Sequence, residues 1–113
     1  MKANEGVAAL LLGAAGWPTS IIQLAERLIA PGCVREVDAS YPLPPSGAEA
    51  IIKRGRFYIV TRSALRRDER DFLVAHEVAE WLFYGRNDDQ VEDDCDALAE
   101  ELLRQLSQRA AVA

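Results

Sequence analysis

A chain of 113 residues with a net charge of −5 has room for one domain and a modest hydrophobic core. With half its residues hydrophobic and 27% charged, it has the composition of an ordinary globular domain rather than a disordered or low-complexity one. The negative balance argues against nucleic acid or an anionic membrane as main partner, and no apolar run approaches membrane-spanning length.

Taken in chain order, Gly6 to Ala15 is rich in alanine and leucine and predicts a short buried helix, broken at Gly16-Trp17-Pro18. Lys2 ahead of this run gives it the outline of a secretory leader. Glu5 lies where a leader is positive, however, and the apolar run is short, so a cytoplasmic location is the expectation. Ser20 followed by Gln23 fits a capping box, after which Ile21, Leu24, Ala25 and Leu28 recur at helical spacing until Pro31-Gly32. Leu24 to Leu28 imitates the first helix of a helix-turn-helix. The recognition helix would have to form over 35–46, where Pro42, Pro44 and Pro45 forbid it, so DNA binding is not expected.

Val34 to Val37 reads as a short strand and Asp38 to Ser46 as a proline-rich loop. Glu49 to Lys53 and Arg56 to Thr61 then predict a hairpin turning at Arg54-Gly55. A helix capped by Ser63 is expected to run to Tyr84 and stop at Gly85. After a polar connection holding Asp88 and Asp89, a last helix runs from Val91 to about Ser107, its acidic first turns suited to the positive end of the helix dipole. The expected fold is one α+β domain over residues 1–113. It has N-terminal helices, a short two- or three-stranded antiparallel sheet, a central buried helix and a C-terminal helix.

Lys53, Arg54, Arg56, Arg62, Arg66, Arg67 and Arg70 crowd the middle of the chain. They form either a solvated face or a docking surface for an acidic partner. Cys33 and Cys95 make neither a disulfide framework nor a Cys-x-x-Cys metal site, and free thiols are the default.

Chemistry concentrates on the central helix. His76, the chain's one histidine, is followed at once by Glu77 and then by Glu80. In the zinc-peptidase pattern His-Glu-x-x-His, one helical turn brings two histidines to one face and the glutamate between them activates a water at the metal. Here Glu80 stands in the second histidine's place. At 100° per residue His76 shares its face with Phe72, Ala79, Glu80 and Phe83, while Val74, Val78, Trp81 and Leu82 occupy the other, which predicts a helix buried on both sides. On the last helix, Glu92 and Asp96 project into the apolar stripe of Cys95, Ala99, Leu102, Leu103 and Leu106. They are either partnered there, Glu92 by a metal and Asp96 by a hydrogen bond behind the ligands, or still solvated in the helix's first turns.

Three stretches together resemble the ImmA/IrrE-like metallopeptidases: the hairpin Ala50 to Thr61, the segment Asp71-Phe72-Leu73-Val74-Ala75-His76-Glu77-Val78-Ala79-Glu80, and the acidic helix Glu92 to Leu103. That resemblance implies a small zincin-like domain in which His76 and Glu92 are metal ligands, Glu77 is the general base and Asp96 hydrogen-bonds behind the ligands. Glu80 is the departure. As a ligand it gives a one-histidine, two-carboxylate site for zinc, or for manganese or iron as harder alternatives. Without a metal, His76 between Glu80 and Glu92 makes a buried ionic cluster. Two functions follow. One is a metal-dependent endopeptidase acting on a regulatory, repressor-type protein. The other is a non-catalytic domain with a degenerate metal site that binds a protein partner through its hairpin edge and basic tract.

Overall fold

Seven elements follow one another along residues 2–112, the part of the chain that the computed structural model describes: α1 (Lys2–Ala14), α2 (Ile21–Leu28), β1 (Val34–Val37), β2 (Ala48–Lys53), β3 (Arg56–Arg62), α3 (Arg67–Leu82) and α4 (Val91–Val112). They form an α+β fold of four helices and a small mixed sheet among the described residues. No described helix is long and apolar enough to cross a membrane.

α1 begins about a turn earlier than its apolar run. It ends where Gly16 and Trp17 both take positive φ, with the Trp17 N–H closing back on the Leu12 carbonyl at 2.8 Å. This is the left-handed stop that glycine makes cheap. α2 starts at its Ser20 cap, whose hydroxyl accepts from the Gln23 N–H at 3.1 Å, while Gln23 reaches back to the Thr19 N–H. Its Ile21, Leu24 and Ala25 are buried, as their spacing requires.

The hairpin of β2 and β3 turns at Arg54 (φ 52) and Gly55 (φ 77), the two positive φ values of a type I′ turn. The sheet is not antiparallel throughout. β3 lies in the middle, antiparallel to β2 and parallel to β1, because the proline-rich loop carries the chain past the sheet before β2 begins. Arg62 pins that loop by donating to the carbonyls of Asp38 and Tyr41 at 2.6 and 2.9 Å.

Ser63 does not cap α3. Its N–H extends the sheet ladder to the Val37 carbonyl at 2.9 Å. The helix starts only at Arg67, where Asp68 and Glu69 place negative charge in the first turn. α3 is the central helix: it packs against α2, α4, β2 and β3. Val74, Ala75, Val78 and Ala79 are fully buried in one core with Leu12, Leu24, Ile59, Leu98 and Leu102. Its last turn leaves that core, so Trp81 is only half-buried and Leu82 is exposed, contrary to the both-sides-buried expectation. α4 continues past Ser107 because Arg109 to Val112 contains no helix breaker, and Arg109 lies 4.5 Å from the Trp17 ring centroid.

Candidate metal centre

Small side chains bring α3 and α4 close. Ala75 and Ala79 on one helix, and Cys95 and Ala99 on the other, are each one turn apart and fully buried. Nothing at these positions holds the backbones apart. The next residues along, His76 and Glu80 on α3 and Asp96 on α4, then meet at the rim of the contact, where Glu92 joins them one turn before Asp96.

The imidazole of His76 is the hub. Its Nδ1 lies 2.8 Å from Oδ1 of Asp96. A carboxylate only accepts, so the ring donates from Nδ1, and in the neutral ring Nε2 keeps its lone pair. Nε2 in turn lies 3.3 Å from Oε1 of Glu80 and 3.3 Å from Oε2 of Glu92. One ligand atom from each of His76, Glu80 and Glu92 falls within 4.8 Å of the others, so the group could hold a metal ion. The spacing suits one. Metal–nitrogen and metal–oxygen bonds of about 2.0–2.2 Å at tetrahedral angles put neighbouring ligand atoms roughly 3.3–3.6 Å apart. The His76 side chain is 15% exposed and that of Glu92 68%, so the cluster is backed by protein on the α3 side and open to water on the α4 side. Glu80 and Glu92 look onto a cleft of about 260 Å³, bordered also by Phe83, Tyr84, Arg86 and Val91.

Glu77 follows His76 on α3. It is buried, and its Oε2 meets no hydrogen-bond partner. Burial first, and then the neighbouring Glu80 with the charges of Glu92 and Glu49, pushes its pKa up to about 9. Burial also works against an ionised Glu80, yet its neighbours Glu77 and Glu92 and the His76 ring bring its pKa below the usual value. Glu92 moves up, by desolvation and then by Glu80. The surroundings thus drive the pKa of Glu80 down and those of Glu77 and Glu92 up.

Of the four residues expected around His76, Glu80, Glu92 and Asp96 reach its ring, while Glu77 is buried beside Glu80. Glu92 and Asp96 reach it from a half-solvated helix face rather than from inside the core. Cys95 adjoins the cluster, but burial, with the charges of Glu80, Glu92 and Asp96, pushes its thiol up to about 12. Both cysteines are free and buried.

Arg86 is the contributor that sequence reasoning passed over. From the α3–α4 connection it grips Asp88 through Nε and Nη2 at 2.9 and 2.8 Å, and Asp94 of α4 at 2.8 Å. Its guanidinium also stands 5.1 Å from the Phe83 ring centroid. It therefore fixes the first turn of α4, which carries Glu92, against the end of α3. No periodicity marked it, because it lies in a connection.

No protein-family model, no curated protein and no solved structure matches the chain.

Proposed function

We propose that the chain is a zincin-like, metallopeptidase-like domain in which His76, Glu80 and Glu92 hold a divalent metal ion and Glu77 acts as general base. The observation that carries this is the pair of 3.3 Å distances from Nε2 of His76 to carboxylate oxygens of Glu80 and Glu92, one ligand atom of each residue lying within 4.8 Å of the others, beside a buried carboxyl with an unpartnered oxygen. The order of hairpin, motif helix and acidic helix supports the same reading through its resemblance to the ImmA/IrrE-like metallopeptidases. On that resemblance the substrate is a regulatory protein of the repressor type.

One imidazole and two carboxylates fit zinc and tilt towards manganese or iron, which favour harder donors. A bound ion supplies polarisation of a scissile carbonyl and acidification of a water. The chain's own residues do the rest. Asp96 orients His76 by holding its Nδ1 proton. Glu77, whose burial pushes its pKa up to about 9, acts as base only with the charge of a bound cation beside it to favour its ionised form. It then takes a proton from the attacking water and returns it to the leaving amine.

A second reading keeps the fold as a non-catalytic interaction domain. Glu80 in the second histidine's place favours it, since one imidazole among three carboxylates can close on itself as an ionic cluster. Turnover of a fluorogenic peptide mixture by zinc- or manganese-loaded protein separates the two. Glu77→Gln is expected to lower turnover by at least about 100-fold with metal content unchanged. Equal turnover in that variant removes Glu77 from the chemistry. No turnover by wild-type protein carrying stoichiometric metal decides for the interaction domain.

A further inference from the structure

The two faces of the sheet have different neighbours. Val34, Phe57 and Ile59 turn to the helical core. By alternation and register, Arg35 and Val37 on β1, Tyr58 and Val60 on β3, and Ile51 and Lys53 on β2 turn to the other face. These six, with Tyr41 of the proline-rich loop, border a shallow bowl of about 300 Å³. Val60 forms its floor: it is only 4% exposed although it points away from the core. Tyr41 stands at the rim because Arg62 holds the loop by the Asp38 and Tyr41 carbonyls.

The basic run of the sequence divides in the fold. Arg66 pairs with Asp68 and Glu69, Arg67 with Asp71, and Arg70 with Glu36 and Asp71. Neither Lys53 nor Arg35 has an ion-pair partner among the described residues, although acids outnumber Lys and Arg by 18 to 13 in the chain. Arg35 donates from Nε to the Gly32 carbonyl at 2.7 Å, which leaves its two terminal nitrogens for another acceptor. Its guanidinium stands 5.7 Å from the Tyr58 ring centroid, and Lys53 is the diagonal cross-strand neighbour of the same tyrosine. Two cations, one from each edge strand, thus flank one ring. No acid borders the bowl; Glu49 shares the face by register but is not part of the lining.

We infer that this bowl binds a small phosphate monoester carried on a flat ring, of the nucleoside monophosphate kind, with the phosphate between Arg35 and Lys53 and the ring against Tyr58, Ile51 and Val60. Charge and size select this class. A phosphate monoester carries about −1.5 to −2 charges at pH 7, which two unpaired cations match better than they match a single carboxylate. The guanidinium offers a planar fork of donors and the ammonium a mobile point charge. A volume at the lower end of the range for ligand pockets fits one ring with its phosphate. A single-stranded nucleic acid needs a basic groove that runs on past one base, whereas this bowl is bordered by the pinned loop. The helical core that holds α3 lies against the opposite face of the sheet, so the inference does not depend on metal at His76.

Adenosine monophosphate, titrated into full-length protein stripped of metal on a chelating resin and followed by the amide signals in nuclear magnetic resonance, tests it. Saturable shifts centred on Arg35, Ile51, Tyr58 and Val60 are expected, with a Kd below about 1 mM that rises with added salt. Adenosine, which lacks the anion, and inorganic phosphate, which lacks the ring, should each bind at least about tenfold more weakly. The nucleotide should lose at least as much affinity for the surface variants Arg35→Glu and Lys53→Glu, whose remaining signals keep their wild-type positions. Equal affinity for adenosine or for inorganic phosphate, undiminished binding by both variants, or no shift at millimolar ligand would overturn the proposal. So would shifts centred away from the bowl, or a single-stranded oligonucleotide or an acidic peptide that binds more than about tenfold tighter than the mononucleotide. Because the sample is free of metal throughout, failure here leaves the metal reading untouched.

Discussion

One helical turn from His76, a carboxylate takes the place that the zinc-peptidase pattern gives to a second imidazole, and this changes the charge of the site as well as its shape. Glu80 keeps the required distance, 3.3 Å from Nε2 of His76. It adds negative charge, however, which makes any bound cation a weaker Lewis acid and raises the pKa of its water. Glu80→His should therefore raise zinc affinity by about tenfold or more, measured by competition with a chromogenic chelator. No gain would place Glu80 outside the coordination sphere. His76, Glu80, Glu92 and Asp96 were legible in the sequence because spacings of four residues fix a shared helix face whatever the rest of the chain does. The burial of Glu77 was not. It depends on the sheet and helices packed around α3, and nothing local to Glu77 encodes them.

At the scale of elements, the connection between α3 and α4 sets the reach of Glu92. Arg86 holds Asp88 and Asp94 together, and hydrogen bonding to Arg86 lowers the Asp88 pKa from 3.8 to about 2. The folded state thus binds this proton more weakly than the unfolded chain. Stability from the clamp is fully present above about pH 4 and is lost as pH falls through about 2. Arg86→Ala should melt below wild type at pH 6, with the gap closing as the pH approaches 2, in thermal melts followed by circular dichroism. A gap that stays constant with pH would deny the ion pair its part.

The hairpin was legible because Arg54-Gly55 is a local turn signal between two β-rich runs. The parallel pairing of β1 with β3 was not, since a four-residue strand carries no information about its partner. The start of α3 was misplaced for a related reason. Ser63 has the right chemistry for a cap, but its backbone still extends the sheet ladder and the helix begins only four residues later, at Arg67.

Across the whole molecule, the two halves of the candidate centre belong to different helices. His76 and Glu80 come from α3, and Glu92 and Asp96 from α4, which also packs on α1. An ion held by His76, Glu80 and Glu92 would join the central helix to the last one. It should stabilise the fold by roughly 2.7 kcal/mol at a free concentration 100 times its Kd.

Calorimetric titration of zinc and of manganese into chelator-free protein, paired with elemental mass spectrometry of the same sample, puts the metal centre to the most direct test. Wild-type protein should bind one ion per chain, and His76→Ala should lose that binding while keeping its circular dichroism spectrum. Absence of stoichiometric metal and of binding heat in wild type, or equal binding by His76→Ala, would contradict a metal centre at His76.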